Sequence, residues 1–372
     1  MVEHMIFRGS ERLLPQDFDH LIECHGGESR AATSLEYAHY QITVAAEYFE
    51  TAWAALADLL AAATFAPREW EWERSVILEE LSQAIADPDW VIYQALMEAS
   101  FESHPYARSV LGDSRAIAAT TAAELRQFHR AHYDPSSWTI VVVGAVSRER
   151  AIAALTEVLS QGTHGSCPLP EIAPPLPARG VRRDELFHPM GQSSTLMLGW
   201  VTPGVADLRA SLGLELLSVI LGEGRTSRLV SRLREERRWV QDIGSGVMPH
   251  RHGGIFVLRA ELEQQYVAIA EQQILEEIWR LHGGKITEEE RLRAVRSLYH
   301  SFLFGMESPG QLAEFLGYYG MLGWHHLCCH WPDAYRQELE SITTDELQAL
   351  SRRYLSLESY TALSLQPSPY SP

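Results

Sequence analysis

The sequence predicts an α+β protein of two homologous domains, and three observations carry that reading. The chain has 372 residues, a length that suits about two domains. The segment PLPEIAPPLPARG, residues 168–180, places five prolines in thirteen residues. Proline removes an amide donor and cannot continue a helix, so this stretch reads as a linker between a domain at 1–167 and another at 181–372. Third, the two sides of the linker repeat each other at a nearly constant spacing.

The repeat shows in two places. TTAAELRQFHRAHYDPSSWTIVVV (Thr120 to Val143) matches ITTDELQALSRRYLSLESYTALSL (Ile342 to Leu365) at an offset of 222. Both open with a capping signature, Thr121-x-x-Glu124 and Thr343-x-x-Glu346, and both then read as helix, short turn and β-branched strand. Elsewhere a strand at 37–45 precedes a helix at 48–63 and another opening near Glu71. In the second half a strand at 254–262 precedes a helix at 266–281 and another opening near Thr287. Glu73-Arg74 and Glu290-Arg291 then stand 217 apart. Two independent matches at similar offsets predict a duplication. The second domain also has a strand at 194–201 and a helix at 206–221, whose counterparts would precede Met1. The first domain therefore reads as short at its N-terminus, with Met1 inside a helix.

Composition excludes some classes of function. Hydrophobic residues make up 46% and charged residues 22%, as in water-soluble globular proteins. The formal charge of −18 argues against nucleic-acid partners, which need a basic footprint. No apolar run reaches the ~18 residues of a membrane span. The first residues, MVEHMIFRGS, lack the basic start of a signal peptide. Four cysteines, two of them adjacent (Cys328, Cys329), do not make a disulfide framework, so a reducing, cytoplasmic compartment is expected. A periplasmic or secreted location remains open if the protein starts upstream.

Chemistry concentrates in a series of motifs. In order they are VEHMIFRGS, HGGESRAATSLEYAHYQITV, ERSVILEELSQAIADPDW, HPYARSVLGD, FHRAHYDPSSWTIVVVGAV and LGEGRTSRLVSRLREERR. In this order and spacing the chain resembles the pitrilysin/insulinase family of zinc metallopeptidases, the inverted zincins, and within it the bacterial and mitochondrial processing-peptidase branch. The resemblance implies two domains, each a mostly antiparallel sheet flanked by helices, closing around a peptide chamber. The family motif is H-x-x-E-H on a helix. Two His four residues apart share a helix face and reach one Zn²⁺, and the Glu beside the second serves as general base.

Carried over, Glu3 is the general base and His4 the second His ligand. The distal Glu ligand lies 76 residues beyond that His, at Glu80, and Glu73, two helical turns earlier on the same face, supports the site. The first His would stand immediately before Met1. The expected explanation is a protein that begins upstream; the alternative is a catalytically inactive, peptidase-fold subunit or scaffold. Arg234 matches the Arg of a second-domain Arg/Tyr pair that faces substrate, but Gln241 takes the Tyr position. This implies a homodimer or a heterodimer with a similar-fold subunit that supplies the pair. Thr33 and Ser34 match a substrate-holding edge strand, read here as running through TSLEYAHYQITV, although Arg30-Ala31 replaces the usual Asn-Ala. The implied activity is zinc-dependent endopeptidase action on peptides or small unfolded proteins.

Three further features read as structural. His325, His326, Cys328, Cys329 and His330 lack the C-x₂-C spacing of a metal site. The glycine-rich stretch at 221–227 lacks the Lys-Ser/Thr ending of a phosphate loop and follows a helix. His104, His129 and His132 read as packing residues.

Overall fold

A computed structural model describes residues 1–159, 171–284, 286–322 and 333–368 of the chain. The fold is mixed α/β and comprises two compact units that interleave in sequence. Met1–Ser82, Val110–Glu171 and Gly305–Cys328 form the first; Gln83–Ser109, Ile172–Phe304 and Cys329–Pro372 form the second. The His325–His330 cluster lies outside the described residues, as does the start of the proline-rich segment. Among the described residues no helix is long and apolar enough to cross a membrane.

The first unit opens with a short helix α1 (Val2–Ile6), then α2 (Asp17–Cys24) and a hairpin of β1 (Glu28–Thr33) and β2 (Ala38–Thr43). The strands pair antiparallel, from Glu28 opposite Thr43 to Thr33 opposite Ala38. The predicted continuous edge strand is therefore a hairpin. Thr33 ends β1, and Ser34 makes the turn, its amide donating to the Tyr37 carbonyl at 2.8 Å and its Oγ accepting from the Glu36 and Tyr37 amides. A serine hydroxyl that caps a turn competes with the sheet ladder, which is why the alternating pattern breaks there. Gly27 sets the entry to β1: a Cβ would lie 2.7 Å from the Thr43 carbonyl oxygen, so only glycine lets the backbones approach.

Next in the chain come α3 (Phe49–Ala62) and α4 (Pro67–Ala86), the latter running past Ser82 into the second unit. Trp70, Glu73, Ile77 and Leu81 are the buried residues of α4. Their spacing of three and four puts them on one face. Next along the chain come α5 (Pro88–Phe101), which belongs to the second unit, and then α6 (Ser114–Ala119), α7 (Ala122–His132) and α8 (Arg148–Leu159) of the first. The capping box predicted at Thr121/Glu124 is formed in full. His129 is buried, with Nε2 on the Leu60 carbonyl at 2.8 Å, and burial lowers its pKa. Residues 138–143, predicted as a strand, form none.

The second unit holds a five-stranded sheet. Its strands are β3 (Val181–His188), β4 (Ser194–Thr202), β5 (Val240–Pro249), β6 (Gly254–Leu262) and β7 (Tyr360–Pro367), in spatial order β3-β7-β4-β6-β5. All pairs are antiparallel except β3 with β7. Between β4 and β5 runs α9 (Leu208–Gly222), with twelve buried residues on all its faces. The helices α10 (Val267–His282) and α11 (Glu288–Phe304) follow β6. Next in the chain is α12 (Pro309–Met321), which belongs to the first unit. The second unit closes with α13 (Asp333–Ser341) and α14 (Thr344–Tyr354), the latter opened by the predicted capping box at Thr343/Glu346. The core joins β4, β6, α9 and the apolar faces of α10 and α14, including Trp200, Leu214, Phe256, Ile274 and Leu347.

The interleaving follows the repeat. Pro88 opens α5 and Pro309 opens α12, an offset of 221, so the two are equivalent helices. Helix α5, from the first half of the chain, packs on β4 and β7. There Leu96 faces Gly199, and Ser100 donates to Thr361 at 3.0 Å. Helix α12, from the second half, lies in the first unit with Tyr318 against Tyr37.

Candidate metal centre

The site is built on two helices of the first unit. On α1, Met5 and Ile6 are wholly buried and anchor the helix, which leaves Glu3 and His4 partly exposed. Beyond α1 the Arg8 amide donates to the Met5 carbonyl at 3.1 Å, keeping Arg8 one turn after His4. Gly9 then turns the chain at φ +98°, where a Cβ would meet the Leu13 carbonyl oxygen at 2.9 Å.

Opposite stands α4. Glu73 is 3% exposed on its apolar face, an expensive place for a carboxylate without partners. It has two. Its Oε2 meets His4 Nδ1 at 3.0 Å, and its Oε1 is paired with the Arg8 guanidinium. Burial alone would push the Glu73 carboxyl up; the His4 hydrogen bond and the Arg8 charge outweigh it and hold the carboxyl below its usual range. A carboxylate accepts only, so Nδ1 of His4 donates to Glu73, which leaves Nε2 as the ring nitrogen turned away from that bond.

That Nε2 faces Glu80, with Oε2 at 3.4 Å. Two donors about 2.0–2.1 Å from one tetrahedral zinc stand about 3.4 Å apart. His4 and Glu80 therefore fit two corners of a zinc site, and Glu73 on the other ring nitrogen fits its outer support. Among the described residues no group of three or more His, Cys, Asp or Glu side chains converges as metal ligands.

Glu3 lies beside this pair. Its Oε2 accepts a short hydrogen bond from Thr33 Oγ1 at the end of β1. Thr33, expected to touch substrate, is thus placed against the expected general base, and Ser34 is occupied by its turn. The hydroxyls of Tyr40 and Tyr133 meet at 3.1 Å. Burial above all, with the Glu3 charge adding to it, pushes both phenols up. Arg234 lies in the second unit, on a π-helical turn at Val230–Glu236, where it pairs with Glu235 at 3.0 Å and Asp242 at 3.3 Å. Arg8 was not singled out from the sequence. The usable signal was Glu73 itself: an acid on an apolar helix face requires a cation, and Arg8 lies in the motif that supplies His4.

Duplicated α+β units, with a Glu-His helix set against a carboxylate helix, define a protein of the zinc-peptidase type. Comparison with known proteins agrees. Residues 1–114 match the family model described as insulinase (peptidase family M16), and residues 119–298 match that of the peptidase M16 inactive domain. The chain belongs to the insulinase, or M16, peptidase family. An "uncharacterized zinc protease" of Streptomyces coelicolor is 26% identical over 363 residues, spanning 95% of this chain and 77% of the relative. A probable mitochondrial-processing peptidase subunit beta of Arabidopsis thaliana is 24% identical, over 85% of this chain and 61% of its own length. A crystal structure of a protease from Helicobacter pylori superposes with a TM-score of 0.90 at 21% identity, covering 98% of this chain and 88% of that one.

Proposed function

We propose that this chain is the zinc-bearing part of a metalloendopeptidase that hydrolyses peptides or small unfolded proteins. The observation that supports it is the His4 ring, braced at Nδ1 by Glu73 and facing Glu80 with Nε2 at 3.4 Å. His4 and Glu80 would be two of the residues that hold the metal. When bound, zinc polarises a peptide carbonyl and makes water a nucleophile near neutral pH. Glu3 supplies the proton traffic. Its Oε2 is engaged by Thr33, so Oε1 is left to take a proton from the attacking water as the oxygen bonds to the carbonyl carbon. The same carboxyl then gives that proton to the amine nitrogen as the C–N bond breaks. Gln241 at the position of the expected tyrosine supports a second subunit of similar fold that contributes an Arg/Tyr pair.

The test is Glu3→Gln in the protein isolated from its native source. Cleavage of a quenched fluorescent peptide should fall by about 10²-fold or more, because general-base help is worth about that much, while bound zinc stays constant. Retained cleavage would sink the assignment. A second reading, a non-catalytic subunit, is favoured by the lack of three convergent ligands among the described residues. Metal analysis decides between them: about one zinc per chain supports the peptidase, and none supports the scaffold.

A further inference from the structure

We propose that Arg8 is a positioning residue of the metal site, acting through Glu73 to fix the His4 ring with Nε2 toward Glu80. The inference rests on the reading of His4 as a ligand. Glu73 has two oxygens and two partners: the Arg8 guanidinium on Oε1 and His4 Nδ1 on Oε2. With both engaged, the carboxylate plane has one orientation, and so has the imidazole that donates to it. The Glu73 side chain is 4% exposed, so water cannot readily replace a lost partner. Without Arg8, one buried oxygen would be unsatisfied, and the carboxylate would be free to turn away from His4.

The geometry of Arg8 agrees. Its Nε is buried without a hydrogen-bond partner among the described residues, so the contact of a terminal nitrogen, Nη2, with Glu73 anchors the group. The tight turn at Gly9 and the bond from the Arg8 amide to Met5 place it four residues after His4, on the side that Glu73 occupies. A planar, permanently charged guanidinium holds a carboxylate better than an ammonium does. The chain Arg8–Glu73–His4–Glu80 therefore runs from a fixed cation to the metal-facing nitrogen.

The test uses the full chain and its Arg8→Met, Arg8→Lys and Arg12→Met variants, the last a control on an exposed arginine. Zinc affinity is read by competition with a chromophoric chelator. The His4 tautomer is read in metal-free protein by two-bond ¹H–¹⁵N correlation. Arg8→Met should weaken zinc binding by about 10–100-fold, the usual effect of losing an outer partner. It should also convert a single Nδ1–H tautomer of His4 into a mixture. Arg8→Lys should restore part of both, and Arg12→Met should change neither. Unchanged affinity with a single tautomer in Arg8→Met would overturn the proposal. If the unsubstituted chain binds no zinc, the ligand reading fails on its own; the His4 spectrum then decides for Arg8, with mixing in support and a single tautomer against. Should Arg8→Met fail to fold, the spectrum of Arg8→Lys decides in the same way.

Discussion

The two repeats share a sequence pattern and differ in what it becomes. In the second unit β7 lies between β3, all eight residues of which pair with it, and β4, which is buried almost throughout. In the first unit the equivalent residues, 138–143, form no strand, although TIVVV is as β-branched as any stretch of the chain. Among the described residues no strand pairs with this stretch. β-Propensity describes fit to a neighbouring strand, and without one it specifies little. The exchanged helices differ in the same way. Helix α5 buries Ile92, Leu96, Met97, Ser100 and Phe101; α12 fully buries only Gly320.

A second contrast bears on chemistry. At the offset of 217, α1 matches the last turn of α9: Glu3 falls on Ile220 and His4 on Leu221, both fully buried. One repeat uses this turn as core, and the other presents an acid and an imidazole. The following acids keep a common role. Glu73 pairs with Arg8, and its equivalent Glu290 pairs with Arg228 through two bonds at 2.7 and 2.8 Å. An arginine-clamped glutamate thus belongs to both repeats; the histidine on its other oxygen belongs to one.

The largest expected effect tests the sheets directly. Leu363 and Val141 are equivalent at the offset of 222, but Leu363 is 2% exposed and Val141 is half-buried. Leu363→Ala should cost about 2–5 kcal/mol. Val141→Ala should cost about 1 kcal/mol or less, since little area leaves water there. Denaturant titration of both variants measures the difference. Equal costs would mean that residues 138–143 are packed as tightly as β7, and the contrast would fail.

Much of this organisation was legible in the chain. The capping boxes at Thr121 and Thr343 and the limits of β6 follow from local rules of period and side-chain reach, whereas the choice of Glu80 and Glu73 comes from the family's spacing, with helix period adding only that the two share a face. What was not legible depends on distant partners. No local signal says that α5 and α12 change places, because each has the same pattern in either unit. The hairpin at Ser34 was hidden by an alternation that continues through it. Arg8 was hidden because an arginine after a short helix is ordinarily a solvated charge, and only the burial of Glu73 gives it a destination.

A smaller effect tests the dense core of the second unit. Glu215 sits on α9 and accepts from Tyr335 at 3.5 Å; burial pushes its carboxyl up to about 7. The folded state therefore favours the protonated form. That preference costs nothing below the ordinary carboxylate range near 4.3, and stability falls as pH rises from there toward 7. Glu215→Gln should raise the apparent Tm at pH 8 by a few degrees, corresponding to roughly 1–3 kcal/mol, and leave it unchanged at pH 4. A stabilisation independent of pH would show that the carboxyl is solvated, and α9 would then be less enclosed than the contrast requires.

The smallest effect compares the two arginines. Arg234 pairs with Glu235 and Asp242, whose side chains are 49% and 61% exposed, whereas the Glu73 carboxylate held by Arg8 is 4% exposed. Exposed pairs gain little because water and salt screen them and the long side chains lose freedom; about 0–1 kcal/mol is usual. Arg234→Met should therefore move the apparent Tm by no more than about 2–4 °C, and 1 M salt should erase even that. Arg8→Met strands a buried carboxylate and should cost more, with little response to salt. If the two substitutions cost the same and respond alike to salt, burial is not what separates the sites. If they differ as expected, Arg234 is loosely held by exposed acids, while Arg8 is committed to the buried carboxylate of Glu73.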